Sequence, residues 1–149
     1  MTRELFVDAN ILIRLYNEHV DQHEEVTRRM QALELVFDKI WISRQVLREY
    51  LSTMSRPQPW GLPVPAKDLL SQMTEFEESF WVADETQAVS KQLWRLIDTV
   101  RVGGKQIHDA NIVATMLAYG ITHLYTLNRS DFERFEKEIT LVTVADSAL

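Results

Sequence analysis

Leu5-Phe6-Val7-Asp8-Ala9-Asn10 is the stretch whose reading decides the fold. Its three apolar residues form a continuous run that breaks off at Asp-Ala-Asn. Such a run reads as a short strand buried on both faces, as in parallel sheets. Ile11 to Glu18 follows as a helix, with Asn10 or Asp8 as its cap. Further along, Asp21 and Glu24 have the spacing of a capping box, opening a helix with Val26, Met30, Leu33 and Phe37 at helical intervals. Ile40-Trp41-Ile42 is a second strand, and Ser43 caps a helix to about Met54. All four prolines fall between Arg56 and Pro65, so that segment reads as a loop. Beyond it come a helix over Ala66–Phe76, a third strand at Phe80-Trp81-Val82, and a long helix capped by Asp84. A helix from Ile107 to Tyr119 is closed by Gly120. His123-Leu124-Tyr125-Thr126 is a fourth strand, Phe132 to Glu136 a helical turn, and Leu141-Val142-Thr143-Val144 a fifth strand. Strands alternating with helices imply βαβ units and a three-layer α/β sandwich around a parallel sheet.

The 149 residues suggest a single domain, residues 1–149, able to bury roughly 70% of its unfolded surface. Hydrophobic residues make up 46% and charged residues 26%, which places the chain among globular proteins. The absence of cysteine excludes disulfides, thiolate metal sites and cysteine nucleophiles. Met1-Thr2-Arg3-Glu4-Leu5 has no long apolar core or small-residue cleavage site, so no secretory signal is expected. No apolar run approaches the roughly 20 residues that span a bilayer, and a cytoplasmic location is the expectation. The net charge of −6 argues against coating duplex DNA through a broad basic face. A nuclease remains compatible with it, because local fields outweigh the total.

Four acids sit where a strand or helix meets a turn or a neighbouring element: Asp8, Glu49, Asp109 and Asp131. Asp8 ends a buried strand, where ligands bind in open parallel sheets, and reads equally as a helix cap. Asp109 lies in the first turn of its helix, a favourable place for any anion. Asp131 follows the fourth strand in a polar turn that attracts Asp for local hydrogen bonding. Glu49 falls off the centre of the Val46, Tyr50 and Met54 face, so a solvated position is its favoured reading. Jointly, three of the four occupy the same end of the sheet. Gathered carboxylates must raise a pKa or take up a cation, and a divalent metal so held suits phosphate-ester hydrolysis. His19 and His23 have metal-like spacing, but Asp21 lies between them as a cap. His108 satisfies a helix end more readily than it serves as ligand or base. There is no glycine-rich phosphate loop, and Ser43 has no nearby histidine for a nucleophilic triad.

Four segments carry a resemblance to a known family. They are Phe6-Val7-Asp8-Ala9-Asn10-Ile11-Leu12, the Ser43 to Glu49 spacing, Gly104 to Ala114 around His108-Asp109-Ala110, and Gly120 to Phe132 with Thr126-Leu127-Asn128-Arg129-Ser130-Asp131-Phe132. Together they resemble the PIN-domain ribonucleases, most closely the VapC-like toxins of toxin–antitoxin systems, from Leu5 to about Val144. The resemblance implies a five-stranded parallel sheet of order 3-2-1-4-5. It implies a site built on Asp8, Glu49, Asp109 and Asp131 around one or two Mg²⁺ or Mn²⁺ ions, with Asp8 and Asp109 as direct ligands. Glu49 and Asp131 would act through water or orient the nucleophile. Some relatives carry Asp where this chain has Asn128, so either Asn128 or Asp131 completes the set. Asn10 and Asn128 would support the ligands by hydrogen bonds, and Lys105 and Arg129 would contact RNA phosphates. The implied activity is hydrolysis of single-stranded RNA, and the implied partners are a small antitoxin laid across the groove and a second copy of the chain.

Two other readings compete. A phospho-acceptor module of the receiver type needs Asp at the end of a central third strand, which Asp84 could imitate, and a lysine after the fifth, which Val144-Ala145-Asp146 does not supply. A PIN-like scaffold that binds protein or RNA without cleaving is the other.

Overall fold

The computed structural model describes residues 2–145, and Met1 and Asp146 fall outside them. The opening apolar run forms β1 (Glu4–Val7), and its neighbours are β2 (Lys39–Ser43) and β4 (His123–Tyr125). β3 (Trp81–Ala83) and β5 (Thr140–Val142) close the two edges. All pairings are parallel, in the order β3-β2-β1-β4-β5. Successive strand side chains point to opposite faces. Leu5, Phe6 and Val7 are each fully buried, so β1 is covered on both faces.

The helices are α1 (Ala9–Leu15), α2 (His23–Glu34), α3 (Arg44–Met54), α4 (Ala66–Ser79), α5 (Gln87–Thr99), α6 (Gln106–Ala118) and the short α7 (Arg129–Phe132), which runs into a 3₁₀ turn at Glu133–Phe135. α1 packs on α2 and α3, and α5 lies along α6. An aromatic cluster fixes α3 from one side. Phe76 of α4 meets Tyr16 edge-on at 4.7 Å and Tyr50 of α3 at 4.9 Å. The Tyr50 hydroxyl accepts from Asn17 Nδ2 and donates to Gln72 Oε1. Gly120, at φ +71°, supplies the left-handed residue that ends α6.

Two caps differ from the sequence reading. Asp21 and Glu24 form no capping box: Gln22 occupies the N-cap of α2 at φ 68° and makes no side-chain cap bond. Val20 is buried and draws the connection into two tight turns, Val20 N–H to Asn17 O and His23 N–H to Val20 O, which delay the helix. α5 is capped by Thr86, whose hydroxyl accepts from Val89 N–H, because Asp84 is engaged by Arg44 instead. α1 stops at Leu15 and α4 runs on to Ser79.

The strand order turns back between β1 and β4, which opens a crevice beyond their carboxyl ends. Asp8 N–H donates to Tyr125 O at 3.1 Å, so the β1–β4 pairing extends to the lip of that crevice.

Candidate active site

Asp8 leaves β1 and caps α1, its Oδ1 accepting from Ala9 N–H at 2.8 Å. Its Oδ2 accepts from the Thr126 hydroxyl at 2.9 Å and from Asn10 Nδ2 at 3.3 Å. The cap and ligand readings are therefore compatible within one side chain. Asn10 also accepts from Leu127 N–H, tying the start of α1 to the end of β4. Asp8 is only 6% exposed, and burial raises its carboxyl above the usual range against the pull of the Thr126 and Ala9 hydrogen bonds. The charge of Asp131 pushes the same way.

Glu49 is not on a solvated face. It is half-buried, facing the seam between α3 and α6, and its Oε1 accepts from Gln45 Nε2 at 3.0 Å. Burial raises its carboxyl, with smaller contributions from Asp8 and Asp109. Asp109 stands in the first turn of α6, and its carboxyl is pushed up to about 6, first by burial and then by Asp131 and Asp8. Asp8, Glu49 and Asp109 line one cavity of about 290 Å³ together with Asn10 and Asn128. Asp131 is exposed on α7 and outside that lining, but its charge reaches both Asp8 and Asp109.

No lysine or arginine is among the residues lining this cavity. Lys105 is exposed just before α6, and Arg129 is engaged by Glu133 at 3.6 Å and Glu136 at 3.5 Å. The donor set of hard carboxylate oxygens, held close enough to raise one another's pKa, fits a hard divalent cation. Among the described residues, no three acidic or histidine side chains are already drawn together as a ligand set.

Two residues missed by the sequence reading hold the acids in place. Thr126 is fully buried, and its hydroxyl donates to Asp8 while accepting from Asn128 N–H at 3.0 Å. Gln45 is 5% exposed and bridges α3 to α6: Nε2 also donates to His108 O at 2.8 Å, and Oε1 accepts from Asn111 Nδ2 at 2.7 Å. Gln45 was detectable from its i,i+4 spacing to Glu49. Thr126 had only its place at a strand's carboxyl end. The receiver-type reading fails on topology, since β3 is an edge strand and the exposed Asp84 after it is paired with Arg44 at 3.1 Å.

A family profile described as the PIN domain matches residues 5–138. The chain belongs to the PIN-domain family. Several solved structures share its PIN fold at low identity. VapBC2 from Rickettsia felis, bound to a DNA fragment from its promoter, is 20% identical, with a TM-score of 0.68 over 94% of this chain and 98% of that one. VapBC-1 from nontypeable Haemophilus influenzae is 16% identical, with a TM-score of 0.69 over 96% and 99%. VapC20 from Mycobacterium tuberculosis, a toxin that cleaves the sarcin–ricin loop, is 18% identical, with a TM-score of 0.61 over 80% and 86%. No curated protein matches the chain in sequence. Among the described residues of this PIN domain, no helix is long and apolar enough to cross a membrane.

Proposed function

We propose that this PIN-domain protein is a metal-dependent endoribonuclease and the toxin of a toxin–antitoxin pair. The observation that carries the reading is the convergence of Asp8, Glu49 and Asp109, from three separate elements, in one cavity at the sheet's carboxyl edge. Asp8 and Asp109 would hold Mg²⁺ or Mn²⁺, with Glu49 and Asp131 reaching it directly or through water. When bound, the ion would acidify water and offset charge on the phosphate. The chain's own residues do the rest. Thr126 and Ala9 N–H fix both oxygens of Asp8. Gln45 orients Glu49 at the cavity wall, where its carboxylate can orient the attacking water. That water adds to the RNA phosphorus as the bond to the leaving ribose oxygen breaks. Asn10 and Asn128 supply amides at the wall of the cavity.

The partner in this reading is a small antitoxin that crosses the acidic cavity and places a basic side chain in it. The VapBC structures that share the fold support such a partner. A homodimer is part of the same proposal, and Trp94 and Ile97, exposed three residues apart on α5, are suited to it. The location we propose is the cytoplasm.

The test is incubation of the purified protein with labelled RNA in Mg²⁺, Mn²⁺ or EDTA. Cleavage by wild type, lost in EDTA and in Asp8→Asn and Asp109→Asn, supports the reading. Equal cleavage by those variants removes the assigned site. No cleavage with either metal leaves a PIN scaffold that binds without cutting.

A further inference from the structure

The acidic cavity has a larger neighbour. A second cavity of about 520 Å³ opens between α3, α5 and α6 and shares Glu49 and Ser52 with the first. Its volume lies in the range of small-molecule sites. Leu93 and Ile107 give it aliphatic lining, and His108 is also among the lining residues.

Gln45 uses both ends of its amide, whereas Asn111 and Glu85 do not. Asn111 spends both amide hydrogens, donating to Gln45 Oε1 at 2.7 Å and to Glu85 Oε1 at 3.3 Å. Arg48 Nη2 donates to the same Glu85 oxygen at 3.1 Å. Among the described residues, Asn111 Oδ1 and Glu85 Oε2 accept no hydrogen bond. The cavity therefore offers unused acceptors. A phosphate is a poor occupant, because the lining carries two carboxylates, Glu49 and Glu85, and one guanidinium, Arg48, which is paired with Glu85. A neutral, flat group with adjacent donors fits better.

We propose that this cavity is a guanine subsite, taking the base of the nucleotide next to the cleaved phosphodiester. Asn111 Oδ1 and Glu85 Oε2 accept from the guanine N1–H and N2–H groups, while Leu93, Ile107 and the His108 ring cover its face. Guanine is the RNA base whose pairing edge carries two neighbouring donors. Adenine and cytosine offer an amine beside an acceptor, and uracil a lone N–H between two carbonyls. The assignment rests on the ribonuclease reading for its substrate, but its test does not need cleavage.

The intact protein, labelled with ¹⁵N, is titrated with guanosine, inosine and adenosine while the Asn111 and Gln45 side-chain amides are followed by NMR. Guanosine is expected to shift them at concentrations roughly tenfold lower than adenosine, in line with loss of one bidentate base contact. Inosine, which lacks the N2 amine, falls between. Glu85→Gln brings guanosine and adenosine within about twofold, as expected when a charged acceptor is removed from a base contact. Equal response to the three nucleosides in wild type, or shifts that avoid both amides, overturns the subsite whether or not any variant folds. Guanosine selectivity without RNA cleavage keeps the subsite and removes the ribonuclease reading. Cleavage without guanosine selectivity does the reverse.

Discussion

Two groups of acids lie within a few turns of one another and are treated in opposite ways. On the outer side of α3, Glu77, Asp84 and Glu85 are exposed and each is matched by an arginine, Arg44 or Arg48, at 3.0 to 3.1 Å. In the cavity, Asp8, Glu49 and Asp109 are partly or wholly buried, their pKa values are raised, and no arginine or lysine lines their walls. Exposed pairs of the first kind contribute little, about 0–1 kcal/mol each. Buried carboxylates left to repel one another are a net cost to the fold. Arg48 is the chain neighbour of Glu49, yet it pairs with Glu85 and lies outside the acidic cavity.

Isosteric neutralisation on the two sides breaks or confirms this contrast most sharply. Asp109→Asn is expected to lower RNA cleavage by roughly 100- to 1000-fold, the scale of losing one charge-stabilising group in an active site. Asp84→Asn should leave the rate within about twofold, since an exposed pair is worth so little. Single-turnover assays on the same RNA compare them directly.

Thr126→Val tests the support behind Asp8. It leaves Oδ2 with only the longer Asn10 contact and should cost about 1–3 kcal/mol in urea unfolding, the penalty of an unmet buried charged acceptor.

Stability against pH separates the groups by sign. Asp109 titrates at about 6 in the folded state, above its ordinary 3.8, so the folded protein binds the proton more tightly. Stability is therefore highest below about pH 4 for this group and falls as pH rises through 6. The size is on the order of 1 kcal/mol after allowance for its solvent-exposed half. Asp109→Asn should flatten that slope in thermal melts between these limits. Glu138, held low by Arg95 at 2.9 Å, runs the other way and loses its contribution as pH falls. The smallest effect is expected from Arg44→Met, within about 1 kcal/mol and without change in cleavage.

Much of this architecture is legible in the residues. The apolar runs at Leu5, Ile40 and His123 mark the inner strands, and the resemblance supplies their order. Asp8 stands out as the residue between β1 and α1, Asp109 as an acid in the first turn of α6, and Asp131 as an acid in the polar segment after β4. Glu49 does not. A helical wheel treats the border of an apolar face as solvent, yet α3 is flanked by α4 on one side and by α6 on the other, so its border is a seam. Gln45 and Thr126 are buried polar residues whose partners lie 66 and 118 positions away in the chain. Local spacing shows the Gln45–Glu49 pair but carries no trace of these distant partners. The capping box at Asp21 failed for a related reason, since burial of Val20 overrode a favourable local pattern.

Asp8 is both the first link of α1 and a wall of the pocket, which has a genetic consequence. If the protein harms its host, survivors will carry inactivating changes, and those changes will differ in what they leave behind. Asn at position 8 keeps the helix start, because Asn caps as well as Asp. Ala or Val there also loosens the chain, by about 1 kcal/mol from the cap alone, and such alleles should yield little protein. Substitutions of Asp109, which caps nothing, should accumulate as abundant, inert chains.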